Sequence, residues 1–305
     1  MKVILITFIL SSIFMNDNSI KNSNKNNCEP TNDQTITLPG VFDHKPIAEC
    51  EGDIYYKSFE NLDGWELRNT EARELFENPS FSSSYVKIKN NILNLSAGLN
   101  SISNYDCVDE YGSQVKLQNK KFSPVNGYTY NIIMKPTDKP GIVSAFFVHL
   151  IDENTNNPNV CNNNNEIDIE VVKYGLEAHP SLRGKLFAYF TSWQRAIKPW
   201  VYKGNSCSAD PNAWDQRRRE SHGIELNERF IKEFHKYSFT WTKTEIKFYI
   251  DDTFVVEHTK IVPQKECPLN INSWASQGWL GYSKNKVFEG ITKIKIVSVS
   301  STGIK

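Results

Sequence analysis

The sequence predicts an all-β fold, a sandwich or barrel of mostly antiparallel strands. Three observations carry this. Runs of β-branched and aromatic residues, four to nine long, recur from about Asp53 onward between clusters of Asn, Asp, Gly, Pro and Ser. Tyr237 to Trp241 (YSFTW) and Ile246 to Ile250 (IKFYI) alternate as half-buried strands do. Helix-like pattern is confined to two short stretches, 68–76 and 225–234.

The chain opens on MKVILITFILSSIFM, one lysine before an apolar run from Val3 to about Met15. A span of the bilayer takes roughly 20 apolar residues, so this run is too short for one. Its length and flanks are those of a secretory signal peptide, and the reading competes with a buried strand or an anchor. Cleavage is placed between Met15 and Ile20, which makes 1–18 the signal peptide and the mature protein extracellular. Residues 16 to 27 are rich in Asn, Ser and Lys and lack the apolar groups needed to order them. We therefore read 19–52 as an Asn-rich, partly disordered segment and 53–301 as one catalytic-sized domain.

The strand candidates then follow in order: YVKIK, ILNLS, YTYNIIM, IVSAFFVHL, IDIEVV, KLFAYFT, YSFTWT, EIKFYI, FVVE and ITKIKIVSV. Ile142 to Phe147 is almost continuously apolar, so both of its faces are expected to be covered. Asp251-Asp252 sits between two runs at hairpin spacing. The end, KIVSVSSTGIK, has no apolar tail for a lipid anchor.

Composition narrows function by exclusion. With 35 basic and 35 acidic residues, the chain offers no electrostatic case for nucleic acid or an anionic membrane. The 6 cysteines (28, 50, 107, 161, 207 and 267) are even in number and, in a secretory context, point to disulfides. Six allow 15 pairings, and sequence does not choose among them. Cys28 and Cys50 are close enough in sequence to close a loop at the N-terminal edge. No C-x-x-C pair is present, which counts against structural zinc. Asn94-Leu95-Ser96 is a glycosylation sequon.

One motif carries chemistry. Residues 162–172 read NNNNEIDIEVV. In a strand, positions i, i+2 and i+4 share a face, so Glu166, Asp168 and Glu170 point one way while Ile167 and Ile169 pack the other. The outer α-carbons are then about 13 Å apart. Glutamate side chains leaning inward bring their carboxyls toward the ~5 Å of a retaining glycosidase. Three carboxyls in a row repel, which raises at least one pKa and keeps that group as an acid while another stays ionised. On the pentapeptide alone, a solvated acidic strand face is the favoured reading.

The surroundings decide between them. YTYNIIMKPTDKPGIVSAFF, a loop and EIDIE, then FHKYSFTWTKTEIKFYIDD, INSWAS and GWLGYS, resemble glycoside hydrolase family 16 in four anchors in order, from about Asn126 to Val299. The resemblance implies a concanavalin-like β-jelly-roll sandwich of two antiparallel sheets with a concave substrate cleft. It implies Glu166 as nucleophile, Asp168 as its positioning neighbour and Glu170 as general acid and then base. Asn272 and Trp274 match the family's cleft-lining Asn-x-Trp strand, and that match favours a cleft-facing pair over core packing. Tyr189 and Trp193 lie in the strand after the catalytic one and are candidate substrate contacts. Trp200, Trp214 and Arg217-Arg218-Arg219 occupy a long 194–221 insertion, either a roof over the cleft or a solvated excursion. His235 matches a family histidine, and we read it as a satisfied, semi-buried side chain.

Three departures stand out. Four asparagines precede EIDIE where an aromatic residue is common. Ile133 stands where hydrolases of the family often carry Arg before Met-Lys-Pro. Thr292 stands where many members have an aspartate that helps hold structural calcium, which counts against that ion, and no cofactor is required. The expected function is a secreted, endo-acting β-glucan hydrolase of β-1,3-1,4- or β-1,3-glucanase type, a monomer acting on polysaccharide. EIDIE has the shorter spacing of the mixed-linkage enzymes and wall transglycosylases. The alternatives are a transglycosylase of wall glucan or chitin, toward which Trp274-Ala275 leans, and a non-catalytic glycan-binding module.

Overall fold

A computed structural model describes residues 53–69, 80–101, 108–152, 162–197, 219–282 and 287–302. The signal peptide, the 19–52 segment, Trp200, Trp214, Arg217, Arg218 and Cys28, Cys50, Cys107, Cys161 and Cys207 lie outside the described residues. The strands are β1 (Asp53–Ser58), β2 (Trp65–Leu67), β3 (Ser80–Phe81), β4 (Val86–Lys89), β5 (Ile92–Ser101), β6 (Val108–Leu117), β7 (Tyr128–Lys135) and β8 (Ile142–Asp152). They continue with β9 (Asn162–Lys173), β10 (Leu186–Ile197), β11 (Arg219–Leu226), β12 (His235–Trp241), β13 (Ile246–Ile250), β14 (Thr253–His258), β15 (Leu269–Ala275) and β16 (Phe288–Ser301). Two single helical turns, α1 (Arg229–Lys232) and α2 (Gln277–Leu280), interrupt them.

Hydrogen bonding runs without a break in the order β11-β10-β9-β8-β15-β6-β5-β16-β7-β12-β13-β14. The sheet folds over on itself near β5, and its two halves face each other. Phe146 of β8 meets Phe239 of β12 at 5.7 Å between ring centroids, and Phe190 of β10 meets Phe248 of β13 at 5.2 Å. At the free ends, Ser192 of β10 lies 2.9 Å from His258 of β14, whose second ring nitrogen is 2.9 Å from His222 of β11. The result is the two-layered jelly-roll sandwich that the motifs implied.

Between the layers lies a core of alternating inward residues, among them Leu93, Leu95, Ile132, Phe146, Ile167, Ile169, Phe190, Phe239 and Trp241. Ile142 to Phe147 is buried throughout, Ser144 included, as its almost continuously apolar run leads one to expect. Ile142 and Phe146 face inward, while Val143, Ala145 and Phe147 join a second apolar cluster on the opposite face. In β16 a bulge between Ile294 and Ile296 shifts the alternation by one residue. Thr292 and Ile294 point inward before it and Val297 and Val299 after it, so one strand serves two stretches of core.

The 225–234 stretch departs from expectation. Glu225 and Leu226 finish β11, where Ile224 and Leu226 bury at strand period, and only Arg229–Lys232 is helical. The other expected helix overlaps residues 70–79, outside the described residues, and Arg68 and Asn69 are not helical. Cys267 is a buried free thiol whose Sγ lies 3.2 Å from the Lys265 carbonyl, so it stands outside any disulfide framework.

Turn chemistry is local and legible. Asp251 and Asp252 have φ of 50° and 61°, the left-handed pair of a two-residue hairpin between β13 and β14. Asn90 and Asn91, at 54° and 56°, do the same between β4 and β5. Asparagine tolerates that region and glycine occupies it freely. Asn91→Gly is therefore expected to hold or raise the thermal midpoint, and Asn91→Val to cost about 1–2 kcal/mol. Paired thermal melts of the two variants check this.

Candidate active site

β9 runs between β8 and β10, and the register fixes each carboxyl's neighbours. Glu166 lies beside His149 and Trp193, Asp168 beside Phe147 and Thr191, and Glu170 beside Ala145 and Tyr189. Directly opposed residues share a face, so the rows extend outward. Arg219 follows Trp193, and Gly223 follows Tyr189. On the other side Asn272 follows Ala145, Gln114 follows Asn272, and Trp274 follows Val143. Ile167 and Ile169 are fully buried in the core behind them. All the predicted site residues (Glu166, Asp168, Glu170, Tyr189, Trp193, Asn272 and Trp274) therefore stand on one face of one half-sheet.

That face is dry at the carboxyls. Glu166, Asp168 and Glu170 are 2%, 5% and 7% exposed, which rules out a solvated acidic strand. Burial first, then the charges of Glu166 and Glu170, hold Asp168 well above the usual carboxylate range. A hydrogen bond with Glu166 acts in the same direction, and the indole N–H of Trp193, which donates to Asp168, acts against it. Burial and then the Glu166 charge push Glu170 up to about 8, with Arg219 opposing them. At neutral pH the row thus keeps a proton on Glu170, while Asp168, held toward its protonated form, is hydrogen-bonded to Glu166.

Aromatic rings line the face beyond Glu170. Tyr189 stacks on Phe187 at 5.7 Å, and its hydroxyl is 2.6 Å from that of Tyr174. Trp279, on α2, lies 5.7 Å from Tyr189 and 6.2 Å from Trp274 and so bridges two predicted contacts. Gly223 leaves the space that Tyr189 fills: a Cβ there would sit 2.6 Å from the tyrosine ring. Asn272 Oδ1 and Trp274 Nε1 are buried with no hydrogen-bond partner among the described residues. Gln114 is tied to Arg68 at 3.0 Å and to Asn270 at 3.1 Å, which fixes the far side of the same face.

Sequence reading missed Trp279, Tyr174, His149 and Arg219 as a wall residue. GWLGYS is one of the anchors of the family resemblance, but nothing in it says which ring Trp279 meets. His235 behaves as read: it is buried on β12, with Nδ1 2.7 Å from Asp251 Oδ2. Two departures lie off the cleft face. Ile133 lies on β7 opposite Lys236, in the other half-sheet. Ala275 is fully buried against Ile142 in a separate apolar cluster, off the face that carries Trp274.

Thr292 is fully buried, and its hydroxyl lies 2.6 Å from Ser144 Oγ and 3.0 Å from Ser273 Oγ. Neutral hydroxyls already satisfied by one another do not fit calcium, which takes six to eight oxygen ligands including carboxylates. Among the described residues, no group of His, Cys, Asp and Glu side chains could hold a metal ion, and no helix is long and apolar enough to cross a membrane.

Comparison with known proteins gives a consistent result. Residues 204–293 match the family model of Glycosyl hydrolases family 16. A prokaryotic β-1,3-1,4-glucanase (lichenase) derived from a mouse hindgut metagenome superposes with a TM-score of 0.57 at 21% identity, covering 81% of this chain and 98% of that one. The catalytic domain of an endo-1,3-β-glucanase (laminarinase) from Thermotoga petrophila RKU-1 gives 0.57 at 16% identity, over 82% and 98%. The κ-carrageenase from Pseudoalteromonas carrageenovora gives 0.56 at 16% identity, over 85% and 99%. No curated protein matches the chain in sequence. The family match covers the downstream anchors of the resemblance (FHKYSFTWTKTEIKFYIDD, INSWAS and GWLGYS) and supports reading the chain as a glycosidase that hydrolyses O-glycosyl bonds. The structural neighbours bear out the fold.

Proposed function

We propose that the protein is a secreted, endo-acting β-glucan hydrolase that cleaves with retention of configuration. The observation that carries this is the buried row itself. Burial and the neighbouring Glu166 charge keep Glu170 protonated at neutral pH, as a general acid must be. In the first step a Glu166 carboxylate oxygen attacks the anomeric carbon, while Glu170 gives its proton to the departing glycosidic oxygen. In the second, Glu170, now ionised, takes a proton from water, and that water's oxygen displaces Glu166 from the same carbon. Asp168 holds Glu166 by hydrogen bond and is itself held by Trp193.

The aromatic face supports a sugar ligand. Tyr189, Trp274 and Trp279 offer ring faces, and Asn272 Oδ1 and Trp274 Nε1 offer an acceptor and a donor without partners among the described residues. A β-glucan is supported by the EIDIE spacing and by the similarity in fold to a lichenase and a laminarinase. Among the described residues the site calls for no metal: the acid, the nucleophile and their supports are all side chains of this chain.

The test is incubation of the purified protein with mixed-linkage β-glucan, laminarin, xyloglucan and chitin, followed by product analysis. New reducing ends and shortened chains from one of the first two are expected. Redistributed lengths without new reducing ends would mean transfer, and binding with neither would mean a glycan-binding module; either result overturns the hydrolase reading.

A further inference from the structure

Arg219 opens β11, and its neighbours across the sheet are Trp193 and then Glu166. Its guanidinium carbon lies 5.0 Å from the centroid of the Trp193 ring. The same indole donates its N–H to Asp168. Trp193 is thus gripped on its face by a cation and at its edge by a carboxyl. Arg219 is exposed on the sheet's edge strand, whereas Trp193 and the carboxyls are buried. A guanidinium keeps its charge at every working pH, so what it contributes to the row does not titrate.

We propose that Arg219 is a positioning residue for this reaction: stacked on Trp193, it keeps the indole N–H on Asp168 and sets a fixed positive charge against the carboxyl row. The inference rests on the acid/base role given to Glu170 above. The groups around Glu170 are Glu166 and Asp168 on β9, Tyr189 on β10, Ala145 and, beside Glu166, His149 on β8, Asn272 on β15, Tyr174 just past β9, and Arg219 on β11. Arg219 is the one permanent cation among those named. Its charge favours the ionised form of Glu170 and so acts against burial and Glu166. Taking that charge away therefore moves the proton's release to higher pH.

The test is the pH profile of kcat/KM for the full-length wild type, Arg219→Gln and Arg219→Lys on whichever glucan the wild type cleaves. Arg219→Gln is expected to move the alkaline limb upward by roughly half a pH unit to one unit. It is also expected to lower kcat severalfold with little change in KM, because Trp193 loses its clamp while the sugar-binding rings remain. Arg219→Lys keeps the charge but not the flat stack, so its limb stays with the wild type while its kcat falls. A parallel carbon NMR titration of the glutamate carboxyls, with Glu170 assigned by its loss in Glu170→Gln, needs no substrate. It isolates the charge effect should the glucan reading itself fail. An alkaline limb or a Glu170 titration that Arg219→Gln leaves in place, or that Arg219→Lys moves as far, overturns the proposal.

Discussion

Glu166→Gln is expected to lower turnover by roughly 10⁴-fold or more on every substrate, activated or not. The reason lies in what the amide removes. The carboxylate supplies the electron pair that forms the glycosyl-enzyme, and a neutral amide in a 2% exposed site supplies no equivalent. A better leaving group does not help, because the missing partner is the attacking one. The fold is expected to survive. Glu166 points away from the inter-layer core, and the substitution keeps volume and hydrogen-bonding capacity while removing a charge that raises both Asp168 and Glu170. The same variant should therefore release Glu170's proton at lower pH than the wild type does. Kinetics on a natural glucan and an aryl glycoside, with thermal melts alongside, check the whole pattern. Activity on the aryl glycoside near the wild-type level would remove Glu166 from the nucleophile's role.

How much of this was legible in the sequence follows from the range of each interaction. EIDIE could be read because strand period 2 is local: once the run is a strand, Glu166, Asp168 and Glu170 share a face and Ile167 and Ile169 the other. The hairpin at Asp251-Asp252 was legible for the same reason, since two residues decide its dihedrals. The row's electrostatic state was foreseen only in outline, because like charges repel wherever they are placed, while burial depends on the whole sheet. What the sequence could not supply was register. Trp193 donates to Asp168 only because β10 pairs with β9 with Trp193 opposite Glu166, and Arg219 reaches Trp193 only because β11 adds to β10 in step. Trp279 lies in a one-turn helix whose direction is set by packing on Tyr189 and Trp274. Residues 225–234 read as helix because charged and apolar residues are mixed there at either period. Leu226 is claimed by the core, and the remaining sequence has length for one turn only. Ile133 looked like a cleft residue by its place beside a motif, yet β7 carries it to the other half-sheet.

Glu170→Gln is expected to lose as much activity as Glu166→Gln on a natural glucan and far less on an aryl glycoside. The two substrates differ in what the leaving oxygen needs. A sugar hydroxyl is a poor leaving group and must be protonated as it departs, which is the task of the proton that Glu170 holds up to about pH 8. A nitrophenolate leaves without that help, so Glu166 still forms the glycosyl-enzyme. The second step then stalls, because no base remains to activate water. Azide is a small anion that needs no base, so its addition should restore turnover and give the β-glycosyl azide, the retained configuration. The pH profile should change in step. In the wild type, activity is expected to fall as pH rises past about 8, where Glu170 gives up its proton; with glutamine there, the alkaline limb is expected to disappear. Stability follows the same sign. A buried carboxyl whose pKa is raised by folding stabilises the fold only while protonated, so the wild type loses stability as pH rises from the ordinary glutamate range toward 8. Glutamine cannot ionise, so the variant should lack that loss and melt at least as high as the wild type at pH 8. Proton NMR of the first-formed product, with and without azide, reads the chemistry. An inverted product, or no gain from azide or from the better leaving group, would assign the acid/base role to some residue other than Glu170.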